Sequence, residues 1–352
     1  MVRLTSRLLT AALLAAPLLV GVPGSATALT PPAATADPAA GPAAGRAAGP
    51  AAERAGMRRV VAISVDGLNP AAIARVGRPG SPNLHRLLDE GAGTLNARSA
   101  VEMTVTLPNH TGMLTSRRIA TPAGHGMDVN EDPGGTVAQH AGHPVGSVFS
   151  RLRASGARGA LYVSKSKLDI LHRSWAGSIA RYVVDDSTSG LMGAVRRDLV
   201  ARPRPFSFVH LGLPDQVGHE SGWMSEPYLD AVRHVDRAVG DLLRTLDEHP
   251  AVARRTTLVL TADHGGAGSG HQDPTKYANY RVPFLTWGAG VERGADLYRL
   301  NPQLRNPRGS RPSYDQEQPV RNAAVGNLAL DLLGIGPIAG SGVNAGQRLR
   351  LR

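Results

Sequence analysis

The strongest constraint on this chain is a repeated arrangement in which a short apolar run ends at an acidic residue. Arg59-Val-Val-Ala-Ile-Ser-Val65 leads directly into Asp66-Gly67, and Thr256–Thr261 leads through Ala262 into Asp263-His264. A third run, Pro205–Leu211, leads into Asp215. Apolar runs of this length, rich in β-branched residues, read as strands buried on both faces. Helical signals lie between them. Ser81-Pro82 predicts a helix start, with the helix over Asn83–Glu90 and Gly91 closing it. Glu226–His249 places Leu229, Val232, Val235, Val239, Leu242, Leu243 and Leu246 on one helical face. Further strands are expected over Ala160–Val163 and Val282–Trp287, and further helices over Val145–Ala154 and Asn322–Leu333. The alternation predicts an α/β fold, a mostly parallel central sheet with helices on both faces. In such sheets the ligand site lies at the carboxyl ends of the strands, where these acids stand.

Composition narrows the function classes. Hydrophobic residues make up 42% and charged residues 19%, which excludes a wholly disordered chain. Aromatics are only 4%, so the core must come from Ala, Val, Leu and Ile. The formal charge is +11, from 39 Lys plus Arg against 28 Asp plus Glu. Lys165, Lys167 and Lys276 are the only lysines. No dense basic run with interleaved aromatics accompanies that charge, so no nucleic-acid partner is expected. The absence of Cys excludes a disulfide framework, a thiolate zinc site and a Cys nucleophile, and leaves export open.

The N-terminus predicts export. Arg3 and Arg7 precede the apolar run Leu8–Val22, and Ala26-Thr27-Ala28 supplies a small-x-small cleavage pattern. The run falls short of the ~20 residues a spanning helix needs, so a signal peptide (1–28) is expected and no membrane anchor. Residues 29–56 contain 12 Ala, 5 Pro and 4 Gly, 21 of 28 residues, and read as a linker. Residues 57–352 are expected to form a single catalytic domain, secreted or otherwise extracytoplasmic. Nothing in the sequence speaks to oligomeric state.

Asp66, Asp215, His219, Asp263, His264 and His271 are metal-type ligands from separate parts of the chain. Carboxylate and imidazole without thiolate suit Zn²⁺ or a similar divalent ion. Three clustered Asp repel one another unless cations neutralise them. Asp215 and His219 are four apart, and Gly218 between them suggests a tight turn. Thr106 precedes Leu107-Pro108-Asn109 and a helix-like stretch. A hydroxyl there would sit in the positive end of a helix dipole and attack phosphorus once a metal lowers its pKa. The plain alternative is a helix-capping Thr.

Five blocks occur in order: Ser64-Val-Asp66-Gly67, Thr106-Leu-Pro108-Asn109-His110, His125-Gly126-Met127 with Asn130, Pro214-Asp215-Gln-Val-Gly218-His219, and Ala262-Asp263-His264-Gly265-Gly266. Together they resemble the type I phosphodiesterase/nucleotide pyrophosphatase family of the alkaline phosphatase superfamily, over roughly Val60–Leu333. The resemblance implies two Zn²⁺ ions, or another divalent metal. Asp66, Asp263, His264 and the Thr106 hydroxyl would hold one, and Asp215, His219 and a further His the other. His271 is assigned as that further His, because no His occurs from Gln272 to Arg352; water or Asp273 is the alternative. Thr106 would be the nucleophile, forming a phospho-threonine ester, and Asn130 would hydrogen-bond a phosphate oxygen together with the backbone N–H that follows Thr106. Asn109, His110 and His125 match motif positions as structural residues.

The expected activity is hydrolysis of small-molecule phosphodiesters or nucleotides. A phosphomonoesterase is the alternative, and its mark would be a cationic side chain facing the substrate. Lys165 and Lys167 follow a predicted strand but read first as solvated turn lysines. A non-catalytic zinc-binding protein is disfavoured, since the nucleophile and the ligands are all present. Trp223 and Tyr280 could stack on a base or aryl group, although packing is the plainer reading.

Overall fold

In chain order the strands are β1 (Arg59–Val65), β2 (Ala92–Arg98), β3 (Gly159–Val163), β4 (Ile179–Val184), β5 (Phe206–Leu211), β6 (Thr256–Thr261), β7 (Arg281–Gly288) and β8 (Ala295–Asp296). They form one sheet in the order β4-β3-β5-β1-β6-β7-β2-β8. Every strand pair is parallel except the two made by β7, which runs against β6 and β2. This is a computed structural model that describes residues 57–352. The expected signal peptide and linker lie outside the described residues.

β1 occupies the middle of the sheet and is buried along its whole length, as are β3, β5 and β6. Their apolar runs therefore do what the sequence predicts. β4 and β2 lack such runs. Ile179-Ala-Arg-Tyr-Val-Val184 is half exposed at an edge, and Ala92-Gly-Thr-Leu-Asn-Ala-Arg98 breaks register between Thr94 and Ala97. Both are strands because a neighbour offers its hydrogen-bonding edge, a tertiary cause that periodicity does not carry.

Six helices position the site: α1 (Pro82–Glu90), α2 (Thr106–Thr115), α3 (Thr188–Ala201), α4 (Leu213–Ser221), α5 (Glu226–Glu248) and α6 (Val325–Leu332). The predicted apolar face of α5 is buried at all seven positions, each side chain stabilising the fold by about 1.5–3 kcal/mol. It packs on α4, α1 and α3. Within that face Asp236 is also buried, and its carboxylate accepts from Asn83 N (3.0 Å), Leu84 N (2.7 Å) and Asn83 Nδ2 (2.8 Å). A side chain of α5 thus satisfies the first amides of α1, which Ser81 does not cap. Among the described residues, no helix is long and apolar enough to cross a membrane.

Candidate two-metal site

Strand pairing carries the chain past the end of β1: Asp66 N donates to Leu211 O at 2.9 Å. Gly67 then turns with φ +67°, and a Cβ there would lie 3.0 Å from Asp215 Cα and Cβ. Only glycine lets Asp215 come this close to Asp66 without strain. Asp263, just past β6, accepts at Oδ1 from Gly67 N (3.1 Å) and His264 N (2.9 Å). These bonds aim its Oδ2 at the space shared by Asp66 and His264.

Two side-chain clusters result. In the first, His264 Nε2 lies 3.1 Å from Asp263 Oδ2 and 3.4 Å from Asp66 Oδ1. In the second, Asp215 Oδ1 lies 3.5 Å from both His219 Nε2 and His271 Nε2, and the two imidazole nitrogens are 3.0 Å apart. His264 borders both, with its Nε2 3.9 Å from Asp215 Oδ1 and its ring stacked on His271 at 3.6 Å. Asp273 is exposed and accepts from Thr275, outside either cluster.

The hydrogen-bond pattern fixes the tautomers. His271 Nδ1 donates to Thr104 O (2.6 Å), His219 Nδ1 to Ser269 O (3.1 Å) and His264 Nδ1 to Gly265 O (2.8 Å). Each carbonyl can only accept, so in the neutral ring each Nε2 carries a lone pair. Buried Asp66 Oδ1, Asp215 Oδ1, Asp263 Oδ2 and His264 Nε2 lack any hydrogen-bond donor or acceptor. Buried polar atoms are rarely left this way, and here four converge. The groups Asp66–Asp263–His264 and Asp215–His264–His271 each bring their ligand atoms within 4.8 Å of one another. An oxygen-and-imidazole donor set of this kind fits divalent metal ions.

Electrostatics agrees with the geometry. Burial alone would raise the Asp66 carboxyl, but Lys165 and His210 hold it well below the usual carboxylate range. Burial and the nearby Asp66 charge push Asp263 up. Burial opposes a charge on His264, yet Asp263, Asp66 and Asp215 raise its pKa to about 9. Burial and the His264 charge hold His271 down to about 2. The crowded carboxylates draw positive charge, here from the His264 imidazole and the Lys165 ammonium, while His271 stays neutral with its Nε2 lone pair turned toward Asp215.

Thr106 is the first residue of α2, with Val105 as the cap, and it is buried. Its carbonyl accepts from His110 Nδ1 (2.8 Å), while His110 Nε2 accepts from Ser64 Oγ (2.8 Å) and Nδ1 lies 3.6 Å from Asp263 Oδ2. His110 thus fastens the first turn of α2 to β1 and Asp263. Asn130 Oδ1 accepts from Leu107 N at 3.1 Å, beside Thr106. The N–H following Thr106 is therefore engaged by Asn130, which corrects the expectation that it faces substrate, and Pro108 has none to offer.

Two sequence readings change, and the packing reading of Trp223 and Tyr280 stands. Asp215 and His219 are not on a tight turn; they lie one turn apart on α4. Gly218 serves another purpose: a Cβ there would come within 2.7 Å of the Trp223 ring. Trp223 packs edge-on against His219 and His271 and donates from Nε1 to Gly67 O, so packing is its role. Tyr280 is buried likewise and donates to Gly309 O. Lys165 is no solvated turn lysine. Its Nζ lies 2.6 Å from Asp66 Oδ2 and 2.5 Å from Asp215 Oδ2, bridging the clusters, and these carboxylates raise its pKa despite burial. Lys167 pairs with Glu131, next to Asn130, at 3.2 Å.

His210 and Thr104 escaped the sequence reading. His210 accepts at Nδ1 from Ser164 N (3.3 Å) and donates from Nε2 to Asp66 Oδ2 (2.9 Å). A lone imidazole inside the strand Phe206–Leu211 was the available signal. Thr104 binds His271 from both sides: its carbonyl takes the ring N–H, and its hydroxyl donates to the His271 carbonyl.

Residues 60–320 match the family described as type I phosphodiesterase / nucleotide pyrophosphatase. The chain belongs to that family. Membership places it among phosphoester hydrolases and transferases. GPI ethanolamine phosphate transferase 1 of Chaetomium globosum is 34% identical over 101 residues, which cover 27% of this chain and 10% of that protein. The Saccharomyces cerevisiae protein of the same name is 27% identical over 136 residues, 36% of this chain and 14% of its own length. The matches thus span a small part of these relatives. Among solved structures, murine ectonucleotide pyrophosphatase / phosphodiesterase 5 superposes with a TM-score of 0.59 at 14% identity, covering 79% of this chain and 95% of that one. Its inactive variant in complex with AMP superposes with a TM-score of 0.58. These likenesses show the fold, which is alkaline-phosphatase-like.

Proposed function

We propose that residues 57–352 are the catalytic domain of an exported two-zinc phosphodiesterase that acts on small phosphodiesters or nucleotides through Thr106. The observation that carries this reading is the convergence of four unpartnered buried ligand atoms and two inward-facing imidazoles beside a helix that begins with Thr106. Asp66, Asp263 and His264 would hold one ion, with Thr106 at its edge, and Asp215, His219 and His271 the other. Divalent ions bound there would supply Lewis acidity and lower the pKa of a nearby hydroxyl. Export rests on the leader over residues 1–28.

The residues divide the work. Thr106 Oγ forms a bond to phosphorus while the ester bond to the first alcohol breaks, and that alcohol departs with a proton. Water then attacks the same phosphorus and the P–Oγ bond breaks, which returns the Thr106 hydroxyl and releases the monoester. Asn130, oriented by Leu107 N–H, donates from Nδ2 to a non-bridging oxygen. His110 holds the Thr106 turn, and His210 and Lys165 hold Asp66 ionised.

A second reading has its own observation. A phosphate monoester carries more negative charge than a diester, and Lys165 adds an ammonium among the ligands of both clusters. That arrangement supports a phosphomonoesterase. Purified protein with added Zn²⁺, assayed on an aryl diester and the matching monoester, decides between them. A higher kcat/KM on the diester upholds the first reading, and a clear preference for the monoester replaces it with the second. No turnover of either ester at full metal occupancy would remove both.

A further inference from the structure

The sequence shows no basic run, yet folding assembles one. Arg58 and Arg59 stand at the start of β1, and Arg254 and Arg255 immediately precede β6. β1 and β6 pair in register, Arg59 opposite Thr256, and Arg59 N donates to Arg255 O at 2.7 Å. The chain end returns to the same place, where Glu292 N donates to Leu351 O at 2.7 Å. A cavity of about 390 Å³ results, lined by Arg58, Arg59, Arg254, Arg255 and Arg352 and, among the described residues, by no acidic side chain. A second cavity of about 630 Å³ shares Gly290, Leu332 and Arg352 with it. It adds Arg348 and Arg350, with Asp331 as the one acidic side chain among the described residues. Among the described residues, no ion pair involves Arg58, Arg254, Arg348, Arg350 or Arg352.

This track lies at the amino ends of β1 and β6, whereas Asp66 and Asp263 follow their carboxyl ends. Seven residues of β1 separate the two by about 20 Å. The charge is therefore not part of the phosphoester site. Guanidiniums concentrated in a concave surface focus a positive potential and attract multivalent anions. Arg59 is buried, and burial together with the Arg255 charge beside it lowers its pKa. Among the described residues, no Phe, Tyr, Trp or His lines either cavity. A nucleic acid would find no ring on which to stack its bases.

We propose that this arginine track binds a linear polyanion of repeating phosphate groups without bases. The polymer would lie along the two joined cavities and leave the opposite, catalytic end of the sheet open. Inorganic polyphosphate and a glycerol-phosphate polymer share this chemistry. A small oxyanion fills only one end of the track and binds more weakly than the chain.

The test uses the full-length chain and a variant carrying Arg254→Gln, Arg350→Gln and Arg352→Gln, all at exposed positions. Affinity for labelled inorganic polyphosphate and for the glycerol-phosphate polymer is measured across a salt series. The expected result is a Kd weakened roughly tenfold or more in the variant, with a shallower salt dependence, because fewer phosphates are neutralised. Hydrolysis of a small aryl phosphoester stays at the wild-type rate. The polymer that binds more tightly identifies the source. Unchanged affinity in the variant would overturn the proposal and place any polyphosphate binding at the catalytic end. Equally tight binding of a single-stranded oligodeoxynucleotide of the same charge would overturn the choice of ligand.

Discussion

His219 and His271 face each other through Nε2 atoms 3.0 Å apart, while each ring gives its Nδ1 proton to a main-chain carbonyl. Two neutral imidazoles so arranged repel, and Asp215 Oδ1 adds a third lone pair 3.5 Å from each. A cation at their centre converts this repulsion into coordination. His271→Ala is therefore expected to lose one of two bound metal ions and to cut turnover by orders of magnitude. Metal content by mass spectrometry, run beside the rate assay, checks it. Two ions retained with normal turnover would remove His271 from the ligand set. Chelation of the wild type should abolish activity, and added Zn²⁺ should restore it.

Thr106→Ala should separate chemistry from metal binding. In the proposed mechanism the hydroxyl is one ligand among several but the sole nucleophile, so both ions should remain while hydrolysis falls by at least about 10³-fold, the scale expected when a covalent route is lost. Near-normal turnover in this variant would show that water attacks directly.

Lys165→Met keeps the length of the side chain and removes its charge from between Asp66 and Asp215. Loss of the ammonium should lower kcat/KM on a monoester more than on a diester, by about tenfold in their ratio, the size of one charge-assisted hydrogen bond. An unchanged ratio would mean that Lys165 serves the carboxylates alone.

Asp236→Ala tests the link between α5 and α1. Removing the carboxylate strands Asn83 N and Leu84 N in a buried setting, which should destabilise the fold by about 2–4 kcal/mol. Thermal unfolding measures it, and a melting temperature within a degree or so of the wild type would contradict the assignment.

Acid stability should depend on Glu102. Burial opposes its charge, but Arg118, the Ala120 amide and Tyr314 together hold its carboxyl below the ordinary value. A depressed pKa in the folded state stabilises above the unfolded value, near 4.3, and that contribution fades as pH falls through the folded pKa. Glu102→Gln should therefore lower stability at pH 7 and converge with the wild type in acid. A constant offset across pH would assign the effect to packing.

The strand runs and the face of α5 were legible because burial on both faces, or along one stripe, leaves its mark in residue type. Val60, Val61 and Ile63 carry it in β1, as do Leu258, Val259 and Leu260 in β6. β2 and β4 were not legible, because their neighbours make them strands. The five ordered blocks carried the family and five of the metal-type residues, whereas His271 lies outside them and was assigned because no His follows it. The sequence misjudged Gly218, since its reason is the Trp223 ring, which a Cβ would meet at 2.7 Å, and it misjudged Lys165, whose partners are 99 and 50 positions distant.

The amino-acid order by itself determined the buried strands, the long helix α5 and which side chains carry carboxylate, imidazole and hydroxyl, because propensity and burial act over a few residues. The tertiary structure alone decided which of these meet. Parallel pairing of β1 with β5 and β6 aligned three strand ends and gathered Asp66, Asp215 and Asp263. The same pairing gathered Arg58, Arg59, Arg254 and Arg255 at the other end. Charges scattered in sequence become a site only when the sheet sets their register, since Coulomb energy depends on distance in space and not on separation along the chain.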